Sequence, residues 1–313
     1  VARAVSVDAS RWSRRSDAEV GVAAGVGAHL MWGMFPIFFG LLAPAGAVEI
    51  LAHRMLWTLV LMLAVGLATR RIVRLRSLTP RSMLLVAAAA TMISINWGVY
   101  IYGVTSGRVV ETALGYFVNP LVSVLLGMVI FRERVNRWQA GALALAAVAV
   151  LVLTVDYGRP PYIALTLALS FGTYGLIKKV VPLDPVTSLT AEGLVTAPFA
   201  IGYVIFLAVT GAGTFLGHGA GHTVLLMAAG VVTAAPLLLF GAAAQRVPLV
   251  TLGIIQYLTP SLQMAWGVAV LHEDMPASRW LGFALIWLAL VVFTGDAVRR
   301  VRRTRRAVLV PAR

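Results

Sequence analysis

Long apolar runs alternate with short polar breaks along almost the whole chain. Ten such runs lie near 20–42, 47–69, 82–104, 109–131, 138–155, 160–179, 186–210, 222–243, 249–271 and 277–296. Each is close to the ~20 residues that a helix needs to cross the hydrocarbon core of a bilayer. The pattern predicts an all-α polytopic membrane protein with ten transmembrane helices. The fourth run ends abruptly in Arg132-Glu133-Arg134 and carries Asn119-Pro120 inside its apolar part. An interior proline removes a backbone hydrogen bond and clashes with the preceding turn, at about 3 kcal/mol. Such a break is either compensated by the surrounding protein or used.

The ninth run repeats it. Pro120, Gly127 and Glu133 recur as Pro260, Gly267 and Glu273, each 140 residues on. Trp32-Gly33 likewise meets Phe171-Gly172, and His53 meets Glu192, at an offset of 139. The aligned copies cover 20–155 and 160–296, five runs each. An odd number of spans forces the second copy to insert upside down relative to the first. Two inverted five-helix repeats are the architecture of many secondary transporters, with the site at their interface. Asn119 and Thr259 immediately precede the two prolines and are positioned to serve the carbonyls that those prolines free. The four residues Asn119, Pro120, Thr259 and Pro260 are therefore hinge candidates; a static kink for packing is the other reading.

The loops set the orientation. Arg3, Arg11, Arg14 and Arg15 precede the first run, and alternate loops hold the arginines of 70–81, those of 132–137, Lys178-Lys179, Arg246 and the arginines of 299–306. The opposite loops hold almost no Lys or Arg. Ten helices with both termini cytoplasmic satisfy the positive-inside rule at every loop. The chain then divides into a basic tail 1–19, the two repeats, and a basic tail 297–313, with the first helix expected to remain uncleaved. Composition agrees: of 313 residues 60% are hydrophobic and 12% charged, half the charge of an average soluble chain, about 25%. The net charge of +14 sits at one membrane face and in the tails, which points to anionic lipid rather than nucleic acid. The chain has no cysteine, and thus neither disulfides nor thiolate metal sites. No Walker glycine loop and no HExxH occur, so neither a cofactor nor a metal is expected, and His218 and His222 lie in a glycine-rich loop unsuited to a preformed metal site.

Charged groups inside a bilayer are expensive and face a cavity or a partner. The second run carries Glu49, His53 and Arg54, with Glu49 and His53 on one face at i, i+4. Arg54 lies about two turns in. It borders a substrate pathway, or forms a structural ion pair with Glu49 or Glu111. Glu192, one turn inside the seventh run, is the pseudo-symmetric counterpart of His53 and a candidate for proton coupling; a glutamate reaching the interface is the alternative. His29 lines the cavity or satisfies a neighbour. In the third run Asn96 and Tyr100 share a face, and with Trp97 are candidates for a cradle for a small amphipathic solute, an interfacial aromatic belt being the other reading and suiting Tyr102 better than Asn96; Gln256, Tyr257 and Gln263 are the corresponding set in the ninth. Trp32 and Trp266 are cavity walls or packing residues. Glu133 and Glu273 are expected as helix-end contacts.

The segments "LMWGMFPIFFGLL", "EILAHRMLWTLVL", "SINWGVYIYGV", "LGYFVNPLVSVLLGMVIFRERV" and "LGFALIWLAL" resemble the RarD proteins, of the EamA branch of the drug/metabolite transporter superfamily. The resemblance runs over nearly the whole chain and includes Arg54 as the helix-two arginine of that pattern. It implies ten helices, two inverted EamA repeats and a permease of the cytoplasmic membrane. Members carry the label "chloramphenicol-sensitive", and relatives export amino acids and other metabolites. The expected activity is secondary-active export of a small amino-acid-like or amphipathic solute, with protons as a possible coupling partner. A passive channel is the alternative. A membrane enzyme fits less well, because no nucleophile or acid–base set with signature spacing is present.

Overall fold

Each of the ten predicted runs is helical in the computed structural model, which describes residues 2–309 apart from Glu133 and Pro182. The helix-end contact expected for Glu133 thus lies outside the described residues. Helices α1 (Ala2–Gly33) and α2 (Phe35–Gly40) make the first span. The next four are α3 (Ala47–Ala68), α4 (Pro80–Thr105), α5 (Val109–Phe131) and α6 (Arg137–Tyr157). The second half holds α7 (Tyr162–Val180), α8 (Pro185–Thr210), α9 (Gly219–Ala244), α10 (Leu249–Ile255), α11 (Leu258–Ala269) and α12 (Ala277–Leu309). No strand occurs among the described residues. Eight of these segments are long and apolar enough to cross a membrane; α7 is a shorter apolar helix, and the ninth run is divided between α10 and α11. The outer helices α1 and α12 continue through basic sequence beyond their apolar parts.

Local chemistry explains the helix limits. Thr79 and Asp184 cap α4 and α8, each followed by a proline in the first turn, where a missing N–H is harmless. Asn136 and Gln139 form a reciprocal capping box on α6. Arg132, at φ 52°, closes α5 in the left-handed conformation, which accounts for the abrupt end of the apolar run.

The broken spans were not expected. The first is interrupted at Met34 and the ninth at Gln256-Tyr257, with Pro36 and Pro260 in the first turn of the helix that follows. Pro120 lies inside an uninterrupted α5. Two prolines equivalent in sequence therefore sit in unlike backbones.

The most extensive helix pairings form a set that maps onto itself when the halves are exchanged. Helices α3 and α8, α5 and α11, and α6 and α12 each pack against their own counterpart. Helix α1 lies on α9 as α7 lies on α4, and α1 on α11 as α7 on α5. Likewise α3 lies on α9 as α8 lies on α4. The α6–α12 pair is fastened at both ends by a matching pair of acids. Asp156 accepts from Arg279 Nε at 2.8 Å and from Ser278, while Asp296 accepts from Asn136 Nδ2 at 2.8 Å. Asp156 and Asp296 are 140 residues apart, the offset read from the prolines. Contact of α3 with α4, for which α8 and α9 show no equal, breaks the pattern.

Burial is inverted relative to a water-soluble chain. Val155 and Phe199 are 83% and 79% exposed, whereas Arg54 is 3% exposed. Glu49, Glu111, Glu192, His29, His53, Asn96 and Gln263 are also buried. An apolar surface over a polar interior is written for lipid, and the chain is a multi-pass membrane protein.

Candidate functional site

The buried polar groups converge between α3, α4, α9 and α11. Their position depends on Gly230 of α9. A Cβ there would lie 2.4 Å from the carbonyl carbon of Trp57, so only glycine lets α9 lie directly on the α3 backbone. One turn away on each helix, Arg54 Nε donates to Thr233 Oγ1 at 2.8 Å. Thr233 in turn donates to Ala229 O at 2.7 Å, which orients its oxygen as the acceptor.

Three aromatic rings enclose the guanidinium. Its Cζ is 4.1 Å from the ring centroid of Trp97, 5.3 Å from Phe35 and 5.6 Å from Phe39. Cation–π attraction is strongest at such desolvated sites, about 2 kcal/mol or more. The ion pair considered with Glu49 or Glu111 does not form. Glu49 accepts from Thr214 N at 2.6 Å. Glu111 accepts from Ile163 N at 3.1 Å and from Arg159 Nη2 at 2.9 Å, which raises the pKa of that loop guanidinium. Both acids serve backbone amides and loop groups near helix starts, where unpaired N–H groups and the helix dipole favour a carboxylate. Glu273 does the same for α5, accepting from Val109 N at 2.6 Å and Val110 N at 3.0 Å. It is a helix-end contact as expected, made to a neighbouring helix.

Beside Arg54 the two halves meet through Tyr100 and Gln263. Gln263 Nε2 donates to Tyr100 Oη at 2.9 Å and to Trp32 O at 3.1 Å. Trp32 is thus joined to this cluster through its backbone. Both amide hydrogens are engaged, and Oε1 is left buried without a partner. A turn earlier on α11, Thr259 Oγ1 donates to His29 O and lies 3.0 Å from His29 Nδ1. The hydroxyl has one hydrogen, so Nδ1 is the protonated nitrogen. Nε2 is then a buried acceptor, also unpartnered. Arg54 Nη1, Trp57 Nε1 and Thr58 Oγ1 are buried on α3 without partners. Unsatisfied groups of this kind cost about 1–3 kcal/mol each, and their concentration makes this cluster the candidate site.

Other predicted residues lie elsewhere or are already engaged. Asn96 Nδ2 donates to Leu167 O at 3.0 Å and Ser170 Oγ at 3.2 Å, joining α4 to α7; Tyr116 donates to its Oδ1 at 3.4 Å. Tyr257 packs against the large apolar core that includes residues of α5, α6 and α12. Gln256 sits in the break between α10 and α11. His53 stacks on Phe215 at 4.4 Å, over the loop that Glu49 holds. Thr259 gives its hydrogen to His29, not to the carbonyl freed by Pro260, and Asn119 Oδ1 is buried without a partner. The expected service to the freed carbonyls is therefore absent at Thr259.

Glu192 is paired. It accepts from Lys178 Nζ at 2.7 Å, Ser188 Oγ at 2.8 Å and Tyr174 Oη at 3.2 Å. It also lines a narrow cavity of about 20 Å³ between α3, α4 and α8, together with Thr58, Ser94 and Trp97. That is room for about one water molecule. Trp97 thus covers Arg54 and borders the space beside Glu192. Sequence reasoning missed Thr233, Phe35, Phe39, Thr58 and Tyr116. The i, i+4 spacing of Phe35 and Phe39 around Pro36 was the available signal for the ring wall. No group of three or more His, Asp or Glu among the described residues has the geometry to hold a metal ion.

A family model described as "EamA-like transporter family" matches residues 19–155. The protein RarD of Streptomyces exfoliatus is 51% identical over 93% of this chain and 93% of its own. The uncharacterized transporter YojE of Bacillus subtilis (strain 168) is 41% identical over 93% of this chain and 99% of its own. The protein RarD of Escherichia coli (strain K12) is 37% identical over 91% and 97%. A solved crystal structure superposes with a TM-score of 0.59 at 18% identity, over 89% of this chain and 98% of that one. At that identity the likeness concerns the fold alone.

Proposed function

The chain belongs to the RarD family of EamA-type transporters, in the drug/metabolite transporter superfamily, and from that premise we propose that it is a secondary-active permease exporting a small metabolite across the cytoplasmic membrane. The observation that carries this reading is the buried cluster of Arg54, Thr233, Trp97, Tyr100 and Gln263, drawn from both halves and rich in unpartnered polar atoms. A tightly closed interior of this kind fits an occluded carrier better than an open pore. Two five-helix repeats, 20–155 and 160–296, lie in opposite orientations and rock about the cluster, with both basic tails in the cytoplasm. The exchange symmetry of the helix pairings supports that division.

Protons are the coupling partner in this reading, and Glu192 is the residue that takes them up. Its protonation would release Lys178 and loosen α7 from α8 beside the cavity that reaches Trp97. The test is a metabolite comparison between cells with and without the protein, followed by flux of the responding solute into liposomes. Saturable, protein-dependent flux supports a carrier; a solute set unchanged by the protein excludes export.

A further inference from the structure

Three acids of the interior pair with a cation, whereas its buried cation Arg54 meets only neutral groups among the described residues. Glu111 pairs with Arg159 at 2.9 Å, Glu192 with Lys178 at 2.7 Å and Asp156 with Arg279 at 2.8 Å. Glu49 is held by the Thr214 amide. Arg54, 3% exposed, has no carboxylate among the described residues. Guanidinium keeps its proton under any physiological condition. An uncompensated charge at this depth calls for a negative partner from outside the chain.

The surroundings define that partner. Trp97, Phe35 and Phe39 occupy positions around the guanidinium, and Nε is tied to Thr233. Nη1 is buried and unpartnered, so the remaining valence lies at the edge of the planar group. A carboxylate meets such an edge in the plane, with two parallel hydrogen bonds. One positive charge balances one negative charge, and among the described residues no second Lys or Arg is recorded in contact with this cluster to neutralise the dianion of a phosphate ester. The three rings offer contact to an apolar body. Trp57 Nε1 and Thr58 Oγ1, on the next turn of α3, are further unpartnered atoms for polar substituents.

We infer that the transported solute is a monocarboxylate with an apolar or aromatic body, bound through its carboxylate to the Nη1 edge of Arg54. The inference rests on the permease reading and adds the substrate class. Thr58 and Trp97 line the cavity beside Glu192, so the carboxylate site adjoins the proposed proton site.

The test uses cells producing the full chain, cells lacking it, and cells producing Arg54→Gln or Arg54→Lys. Mass spectrometry of medium and cell extract identifies the solutes whose distribution depends on the wild-type protein. The expected solutes carry a single carboxylate. Arg54→Gln, at wild-type membrane abundance, lowers their protein-dependent export at least tenfold, and Arg54→Lys retains part of it because the charge remains without the fork. A responding solute that lacks a carboxylate, or that is phosphorylated, overturns the inference while leaving the permease intact. So does full export by Arg54→Gln. No responding solute at all overturns the permease reading, and this inference with it. The chemical class is read on the wild-type protein, so the test stands even where a variant fails to fold.

Discussion

A guanidinium among three aromatic rings owes its orientation to one neutral acceptor, Thr233. Replacing that acceptor by an isosteric valine leaves Nε buried without a partner. Thr233→Val should lower stability by about 1.5–3 kcal/mol, the worth of a hydrogen bond to a charged group, and slow transport. Thermal melting in detergent reads the first effect and proteoliposome flux the second; wild-type values for both would remove Thr233 from the site. Arg54 was legible from sequence because a charge two turns inside an apolar run has few harmless explanations. Its setting was not. Glu49 is five residues away and turns instead toward Thr214. Thr233 resembles any helix threonine that bonds its own i−4 carbonyl. Asn96 was legible as a buried amide, but sequence could not show that α7 takes up both of its donors.

At the scale of helices, each apolar run that hydropathy marked is helical, and eight helices among the described residues are long and apolar enough to cross a membrane, because the thickness of a bilayer fixes their length. Breaks were less legible, since Pro120 and Pro260 read alike, yet of their two spans the fourth is continuous and the ninth divides. What differs is the neighbourhood: Thr259 is bound to His29, while Asn119 Oδ1 is unpartnered. In the proposed carrier Pro120 serves as a hinge, so Pro120→Ala should insert normally and slow turnover more than it weakens binding. Saturation kinetics in proteoliposomes separate the two; an unchanged turnover would assign Pro120 to packing. Gly230→Ala has a different consequence. Its methyl group would lie 2.4 Å from the Trp57 backbone, so α9 must withdraw from α3. A loss of about 1–3 kcal/mol is expected from such overpacking, read as a lower melting temperature, and wild-type melting would contradict the close approach.

For the whole molecule, the loop arginines predict sidedness. A cysteine placed at Gly217 in this cysteine-free chain should react with an impermeant external reagent, and protection there would reverse the proposed orientation. Coupling belongs to this scale too. Glu192→Gln should leave solute exchange intact while abolishing accumulation driven by a pH gradient; gradient-driven accumulation at the wild-type level would remove Glu192 from that role. The proposed repeat rests in sequence on three residues at one spacing, and Asp156 and Asp296, each bonded across the α6–α12 contact, stand at the same offset of 140. The central claim is a carrier that exposes one site to each side in turn. Counterflow tests it most directly, with the responding solute loaded unlabelled inside proteoliposomes and labelled solute supplied outside. Labelled solute should rise above its equilibrium level and then decay, with no overshoot for Arg54→Gln. Flux that grows linearly with concentration, without overshoot in the wild-type protein, would contradict the carrier.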